Sequence, residues 1–398
     1  MRTHGARPYD SASVNSVSLV QKTRTSCHSQ RPSLPRAFGV FRPIVLLKTV
    51  RGEILRSREK AEIAVKKGIG WLALSPPFDS WVRCQLWTRV NVVYAHYVGK
   101  SVPYFADFYV GSTIERFARD LAALKKHFEF ASLAEVVRQD PSRGKPSRPL
   151  LALTFDDGFD TLRNGVMEVL DHYAIRATSF VATSTIGNVN LMWRNKLSAI
   201  RALREESLYI GQYNSLMPKV GLPGISRGDE LLPASRDWPM ALKEELVDLL
   251  WRACDMPALE EFLDEHRPYF TWEGLERWLA AGHGVGLHTA THPFCSRLGT
   301  EGIRAEIEEP AALLKATLGL RFLPFSYPFG VRLGAAAERQ LYEDGVFDCA
   351  FGINGLVPQG TPAYRLERAS MEENLTFNVF GNVLLEGIRR PAGRRSAI

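Results

Sequence analysis

The run RPLLALTF, Arg148–Phe155, is of strand length, is apolar almost throughout after its arginine and ends directly on Asp156 and Asp157. A half-buried strand alternates apolar and polar residues. A run that is apolar almost throughout needs cover on both faces, as strands of parallel sheets have when helices pack on either side. The two carboxylates at its end add a second constraint. Burying either one costs several kcal/mol unless it is paired or bound to a cation. Either the acids lie in a solvated turn, or something positive is held between them.

The same rhythm recurs along the chain. NVVYAHYV from Asn91, ATSFVAT from Ala177, GVGLHT from Gly284, LPFSY from Leu323 and CAFGI from Cys349 read as strands. Between them lie helical patterns. Ser112 and Glu115 have capping-box spacing ahead of a stripe of Ile114, Phe117, Leu121 and Leu124. Asp160 and Thr161 can cap a helix to about Tyr173, and Thr271 caps one that Gly282 stops. A long helix is expected over about Gly302–Leu318, kinked at Pro310, and another over about Gly334–Asp344. Repeated strand–helix alternation predicts a parallel α/β architecture, either barrel or open sheet.

Residues 1–50, rich in Ser, Arg, Thr and Pro, are expected to be a disordered basic extension, and 51–90 a helical or irregular lead-in with a helix over Glu53–Lys67. Residues 91–388 form the expected catalytic unit, followed by a flexible tail over 389–398. Within that unit, about 186–270 reads as a mostly helical insertion packed on the mouth of the fold. Charge follows this division. Residues 1–60 carry twelve Lys/Arg against three Asp/Glu, a net +9, which leaves −2 for the remainder of a chain whose total is +7. The basic excess therefore belongs to the N-terminus, and the body shows no basic-aromatic patch for nucleic acid. No stretch approaches the roughly 20 apolar residues of a membrane span; the best, AFGVFRPIVLL, is half that and contains Arg42 and Pro43. Peripheral membrane contact through the basic N-terminus stays open. Five scattered cysteines without paired spacing fit reduced thiols and a cytoplasmic protein, membrane-associated at most.

In a parallel α/β fold, polar residues at the carboxyl ends of strands are the default site. Here those ends carry Asp156 and Asp157, His288 and His292, and His96. Two neutral imidazoles with one carboxylate make a three-ligand metal site with an open position, and the second aspartate is left free to accept a proton from water. His127, His172, His266 and His283 lie on or beside amphipathic helices and read as structural.

LTFDDG together with HTATHP and YPFG resembles the polysaccharide deacetylase family, whose founding member is a nodulation chitooligosaccharide deacetylase. The resemblance covers roughly Asn91–Phe380 and implies a distorted, incomplete (β/α) barrel. It also implies Asp156 as catalytic base, and Asp157, His288 and His292 as ligands of a divalent metal, typically zinc. Two family parts are missing. The arginine that orients the catalytic aspartate aligns, counted from Pro328, on Ser326, and Phe329 replaces the family's tyrosine; Arg365 or Arg368 could supply the cation instead. No histidine follows His292, so the family's late histidine, its general acid, is absent, and His96 is the candidate replacement. Trp193, Tyr327 and Phe329 are candidates for stacking on a sugar.

The expected activity is metal-dependent removal of N-acetyl groups from a sugar in a polysaccharide, oligosaccharide or lipid-linked glycan. One rival is hydrolysis of another non-peptide C–N bond, such as a cyclic amide. The other is a catalytically silent glycan-binding module on the same fold, which the missing arginine and histidine favour and the intact four-residue set opposes.

Overall fold

The computed structural model describes residues 53–105, 112–138, 146–160, 165–236, 238, 240–372 and 374–389. The basic extension expected over residues 1–50, the proposed cap Thr161 and the tail from residue 390 lie outside them. Ten strands occur among the described residues: β1 (Arg89–Val90), β2 (Val92–Ala95), β3 (Glu129–Phe130), β4 (Leu150–Phe155), β5 (Ala177–Val181), β6 (Gly284–Leu287), β7 (Pro324–Ser326), β8 (Cys349–Phe351), β9 (Val357–Pro358) and β10 (Ala369–Ser370). Eight belong to one parallel sheet in the order β10-β2-β4-β5-β6-β7-β8, with β3 beside β4. Short β1 and β9 pair separately and antiparallel.

The sheet curls until its edges meet. β10 pairs with β2 through Ser370 and Tyr94. Just upstream, Leu366 bridges Phe351 of β8, and the N–H of Gly352 donates to the Leu366 carbonyl at 2.9 Å. Leu366–Ser370 is thus a single-stranded seam in a distorted barrel. β10 is only two residues long and follows two arginines and a glutamate, which is why no apolar run announced it.

Residue parity sorts the two faces of the sheet. Val93, Ala95, Leu151, Leu153, Phe155, Val181, Val285, Leu287 and Phe325 pack with the surrounding helices in the main apolar core. The alternate positions Val92, Ala152, Phe180, Cys349 and Phe351, with Leu366 of the seam, form a second cluster filling the barrel interior. Continuing that inward parity to the carboxyl ends leads to His96, Asp156, His288 and Ser326. Gly286 sits on the inward row because Phe180 crosses the interior there: a Cβ at Gly286 would lie 2.5 Å from the Phe180 ring and 2.9 Å from the Pro324 carbonyl.

The helices match their sequence signals with local corrections. The lead-in helix runs Glu53–Ala73, beyond the expected Lys67, and a second helix, Phe78–Leu86, contributes Val82 and Leu86 to the main core. The cap of helix Ile114–Lys125 is Thr113, whose Oγ1 accepts from the Arg116 N–H at 3.3 Å. Ser112 is instead bridged to Val98. Helix Val166–Tyr173 starts after Gly165, five residues later than Asp160 would place it. Thr271 does cap Trp272–Ala280, accepting from Gly274 N–H at 3.0 Å. Ahead of Pro310 the expected kink is a π turn, Arg304–Glu308, in keeping with the missing proline N–H.

The interrupting segment folds into helices with a core of their own, including Trp193, Leu197, Tyr213, Trp238, Val247 and Trp251. That core also takes in Tyr97, Phe159 and Ala182, which immediately follow β2, β4 and β5. The helical lobe therefore sits on the carboxyl end of the barrel, as expected. Cys254, Cys295 and Cys349 are buried thiols, and among the described residues no helix is long and apolar enough to cross a membrane.

Gly286→Ala tests the packing of the interior. The added methyl must displace an enclosed phenyl ring or a backbone carbonyl, and overpacking of this kind costs about 1–3 kcal/mol. The expected readout is a lower urea midpoint with an unchanged denaturant slope.

Candidate active site

Asp156, Asp157, His288 and His292 converge at the carboxyl end of the barrel, each at most 3% exposed. Backbone ladders carry Asp156 and His288 there: Asp156 N–H donates to the Ala95 carbonyl at 3.0 Å and His288 N–H to the Val181 carbonyl at 2.9 Å. By strand parity Asp157 would point away from Asp156's side of the sheet. It does not continue the strand; its φ is +70°, and the left-handed turn redirects its carboxylate. His292, Thr289 and Phe329 are also left-handed, at +65°, +66° and +58°. Such residues cost of order 1–3 kcal/mol each and persist only where the surroundings fix them.

The surroundings are visible for the HTATH loop. Glu306, on the π turn, accepts from the Ala290 and Thr291 N–H groups at 3.0 and 2.9 Å and from the Thr291 hydroxyl at 2.7 Å. Thr289 Oγ1 accepts from His292 N–H at 3.0 Å. The Thr289 and Ala290 carbonyls accept from the Thr183 and Ser184 N–H groups, each at 3.1 Å.

Asp157 Oδ1 lies 3.4 Å from His288 Nε2 and 3.3 Å from His292 Nε2. His288 Nδ1 is 2.8 Å from the Ser326 carbonyl. A carbonyl only accepts, so Nδ1 carries the hydrogen and Nε2 is the ring nitrogen that faces Asp157. Burial, the largest influence on His292, drives its pKa down to about 4, so its ring is neutral at ordinary pH. One ligand atom from each residue falls within a 4.8 Å cluster. Two imidazole nitrogens and a carboxylate facing one another in a buried space fit a cation between them.

Asp156 takes no part in that cluster. Arg368 grips it from the seam, Nη1 to Oδ1 at 2.7 Å and Nη2 to Oδ2 at 2.8 Å. Arg368 also donates to the Thr154 hydroxyl at 3.0 Å and the Ser326 hydroxyl at 2.6 Å, and it is fully buried. Burial alone would raise the Asp156 pKa; the Arg368 charge, then His288, outweigh it and hold the carboxyl below its ordinary value. Arg365, the other candidate, is not at the site: it is half exposed and faces Glu338 at 3.5 Å. Ser326, where the family arginine was expected, hydrogen-bonds Arg368 and holds His288 through its carbonyl.

His96 lies at the end of β2, beside Asp156 across the strand pair. Sequence reasoning missed its partner, Glu372. This carboxylate accepts from the His96 N–H at 2.9 Å and meets Nδ1 at 3.0 and 3.2 Å. Burial would lower the His96 pKa, but Glu372, followed by Asp157 and Asp156, raises it. Glu372 keeps the inward parity of Arg368 and Ser370, the only signal in MEEN that separates it from its neighbour.

The three aromatic candidates divide. Trp193 is enclosed, with Lys243 Nζ 4.1 Å from its ring centroid and its Nε1–H directed at the His292 carbonyl at 3.4 Å. Tyr327 is wholly buried, 4.6 Å from the Phe325 ring and 5.1 Å from the Arg332 guanidinium. Neither offers a face to a sugar. Phe329 is half-buried, 4.6 Å from the His292 ring, stacked on Phe294 at 4.3 Å and under Arg194 at 4.8 Å. Of the histidines read as structural, His283 stacks on Trp278 at 3.8 Å and accepts from Ala177 N–H.

The polysaccharide deacetylase family model matches residues 143–213 and 239–342. This region is a polysaccharide deacetylase domain, of the class of hydrolases acting on non-peptide carbon–nitrogen bonds. Solved structures similar to the chain include deacetylase PplD of Streptococcus pyogenes, in complex with acetate (15% identity, 75% of this chain and 97% of that one, TM-score 0.47). IcaB of Ammonifex degensii (19%, 70% and 89%, 0.43) and a de-N-acetylase of Aggregatibacter actinomycetemcomitans (12%, 74% and 99%, 0.44) are also similar. No curated protein matches the chain.

Arg368→Met is expected to leave a buried carboxylate without its cation and to cost about 3–5 kcal/mol at pH 7. The cost depends on pH. In the parent, a depressed Asp156 pKa adds stability that is present above the ordinary carboxylate value and lost as pH falls below it. In the variant, burial favours the protonated acid, so the deficit should shrink from pH 7 to pH 5. Urea denaturation at the two values measures this.

Proposed function

We propose that the chain is a metal-dependent N-deacetylase that releases acetate from an N-acetylated sugar of a polysaccharide, oligosaccharide or lipid-linked glycan. The observation that carries this reading is the division of labour between neighbouring acids: Asp157 closes with His288 and His292 around one point, while Asp156 stands beside them, tied to Arg368. Asp157, His288 and His292 would hold the cation, and an N₂O donor set with an open position suits Zn²⁺. A bound cation would supply Lewis-acid polarisation of the amide carbonyl and a more acidic water, which a base with a depressed pKa requires.

Asp156 then accepts a proton from the attacking water, its orientation fixed by the two Arg368 hydrogen bonds. His96, kept protonated by Glu372, donates to the departing nitrogen as the C–N bond breaks. The products are acetate and a free amino sugar. With Nδ1 taken by Glu372, Nε2 is the nitrogen left to deliver that proton. Phe329 offers an apolar face beside His292 for the C–H face of the sugar. Arg368 and His96 fill the roles of both missing family parts, which weakens the reading as a silent glycan-binding module.

Acetate release over a panel of N-acetylglucosamine glycans, with and without chelator, tests the activity; no acetate from any of them would overturn it. Asp156→Asn should lower turnover by at least roughly 10²–10⁴-fold with metal content near that of the parent, whereas His288→Ala should lose metal as well. Wild-type turnover in both variants would refute the site.

The pH profile tests the acid. The raised pKa of His96 predicts that kcat falls as pH rises through it. Glu372→Gln removes the main raising charge and should move that alkaline limb to lower pH without changing metal content. An unmoved limb would exclude the His96–Glu372 pair from proton delivery.

A further inference from the structure

Over residues 61–73 the lead-in helix, Glu53–Ala73, is apolar on its outer face. Its inner side lies against the Thr376–Gly381 segment: Gly70 approaches so closely that a Cβ would meet the Phe377 nitrogen at 2.9 Å, and Ala73 joins the main core. The outer side exposes Trp71 (74%) and Val65 (59%), with Ile63 and Leu72 more than two-fifths exposed. Ala61, Ala64 and Gly68 are exposed between them. Over residues 61–72 the charges are Glu62, Lys66 and Lys67, and the first two pair with each other at 2.7 Å. A surface helix normally turns such residues toward the core; a contiguous exposed set marks a contact surface.

We propose that this face docks on an anionic lipid surface. Charge selects that occupant. Residues 1–60, which lead directly into the face, carry a net +9, and Lys67 stands on the face itself. Phosphate headgroups complement that charge, at about 1 kcal/mol per basic residue near the surface, whereas a second copy of the chain would bring +9 against +9. The side chains fit the interface too. Tryptophan concentrates at the boundary between headgroups and acyl chains, and a helix lying in that plane buries one apolar side there. Lys67 and Trp71 also line a cavity of about 330 Å³ with Arg116, Asp120, Asn374, Leu375 and Thr376. Asn374 lies two residues from Glu372, so the face adjoins the segment that supplies Arg368 and Glu372.

The test is co-sedimentation of the full chain with vesicles of phosphatidylcholine containing phosphatidylglycerol, against phosphatidylcholine alone. The parent should bind the anionic vesicles, and Val65→Ser/Trp71→Ser/Leu72→Ser should bind them at least roughly tenfold more weakly. Trp71→Ser alone should reduce binding in the same direction. These side chains are exposed, so thermal melts of parent and variants should coincide. Equal binding by parent and triple variant would overturn the proposal, since the basic segment alone would then suffice. Absence of binding by the parent would overturn it as well. A lipid-free dimer of the parent that the triple variant cannot form would reassign the face to a second copy and overturn it too.

Discussion

The pair Arg368–Asp156 is the interaction on which the rest of the site depends. A carboxylate in a dry barrel interior is tolerable only with a fixed opposite charge. Arg368 supplies it with a planar fork that also ties the Thr154 and Ser326 hydroxyls into the same network. Ser326 in turn fixes His288 through its carbonyl, so Asp156 and one imidazole share a scaffold. The guanidinium is seated between aromatic faces, 4.8 Å from Tyr94 and 5.1 Å from Phe180, which hold it without competing for its hydrogen bonds. Phe180 needs Gly286 opposite. A glycine in a strand, a phenyl ring and a buried guanidinium thus form one packing chain.

Much of this was legible in the sequence because it is local. LLALTF and GVGLHT are continuous runs whose burial follows from composition, and their polar ends mark the site. Asp157, His288 and His292 lie within a few residues of strand ends, which is why their convergence could be expected from spacing. What was not legible is long-range. Ser326 looked like a lost arginine, yet the cation arrives from a residue 212 positions from Asp156, and Glu372 lies 276 from His96. Arg365 and Arg368 are indistinguishable in YRLERAS; the seam's register turns one inward and leaves the other on Glu338. Trp193 and Tyr327 were misjudged because aromatics near a site read alike whether they face it or support it.

The matched family region contains both aspartates and both histidines but excludes His96, Arg368 and Glu372. The residues proposed to hold a cation and accept a proton from water thus lie in the matched region. The residues that pair with Asp156 and His96 come from the seam strand at the end of the barrel. That strand pairs with β2, so one seam can supply both charges at once.

That geometry has a consequence for biosynthesis. During translation, β4 and its two aspartates are made long before residues 366–372 leave the ribosome. Until they do, Asp156 lacks Arg368, so closing the interior around it costs several kcal/mol or a proton on the acid. Final compaction is therefore favoured once the last strand is in place, late in synthesis.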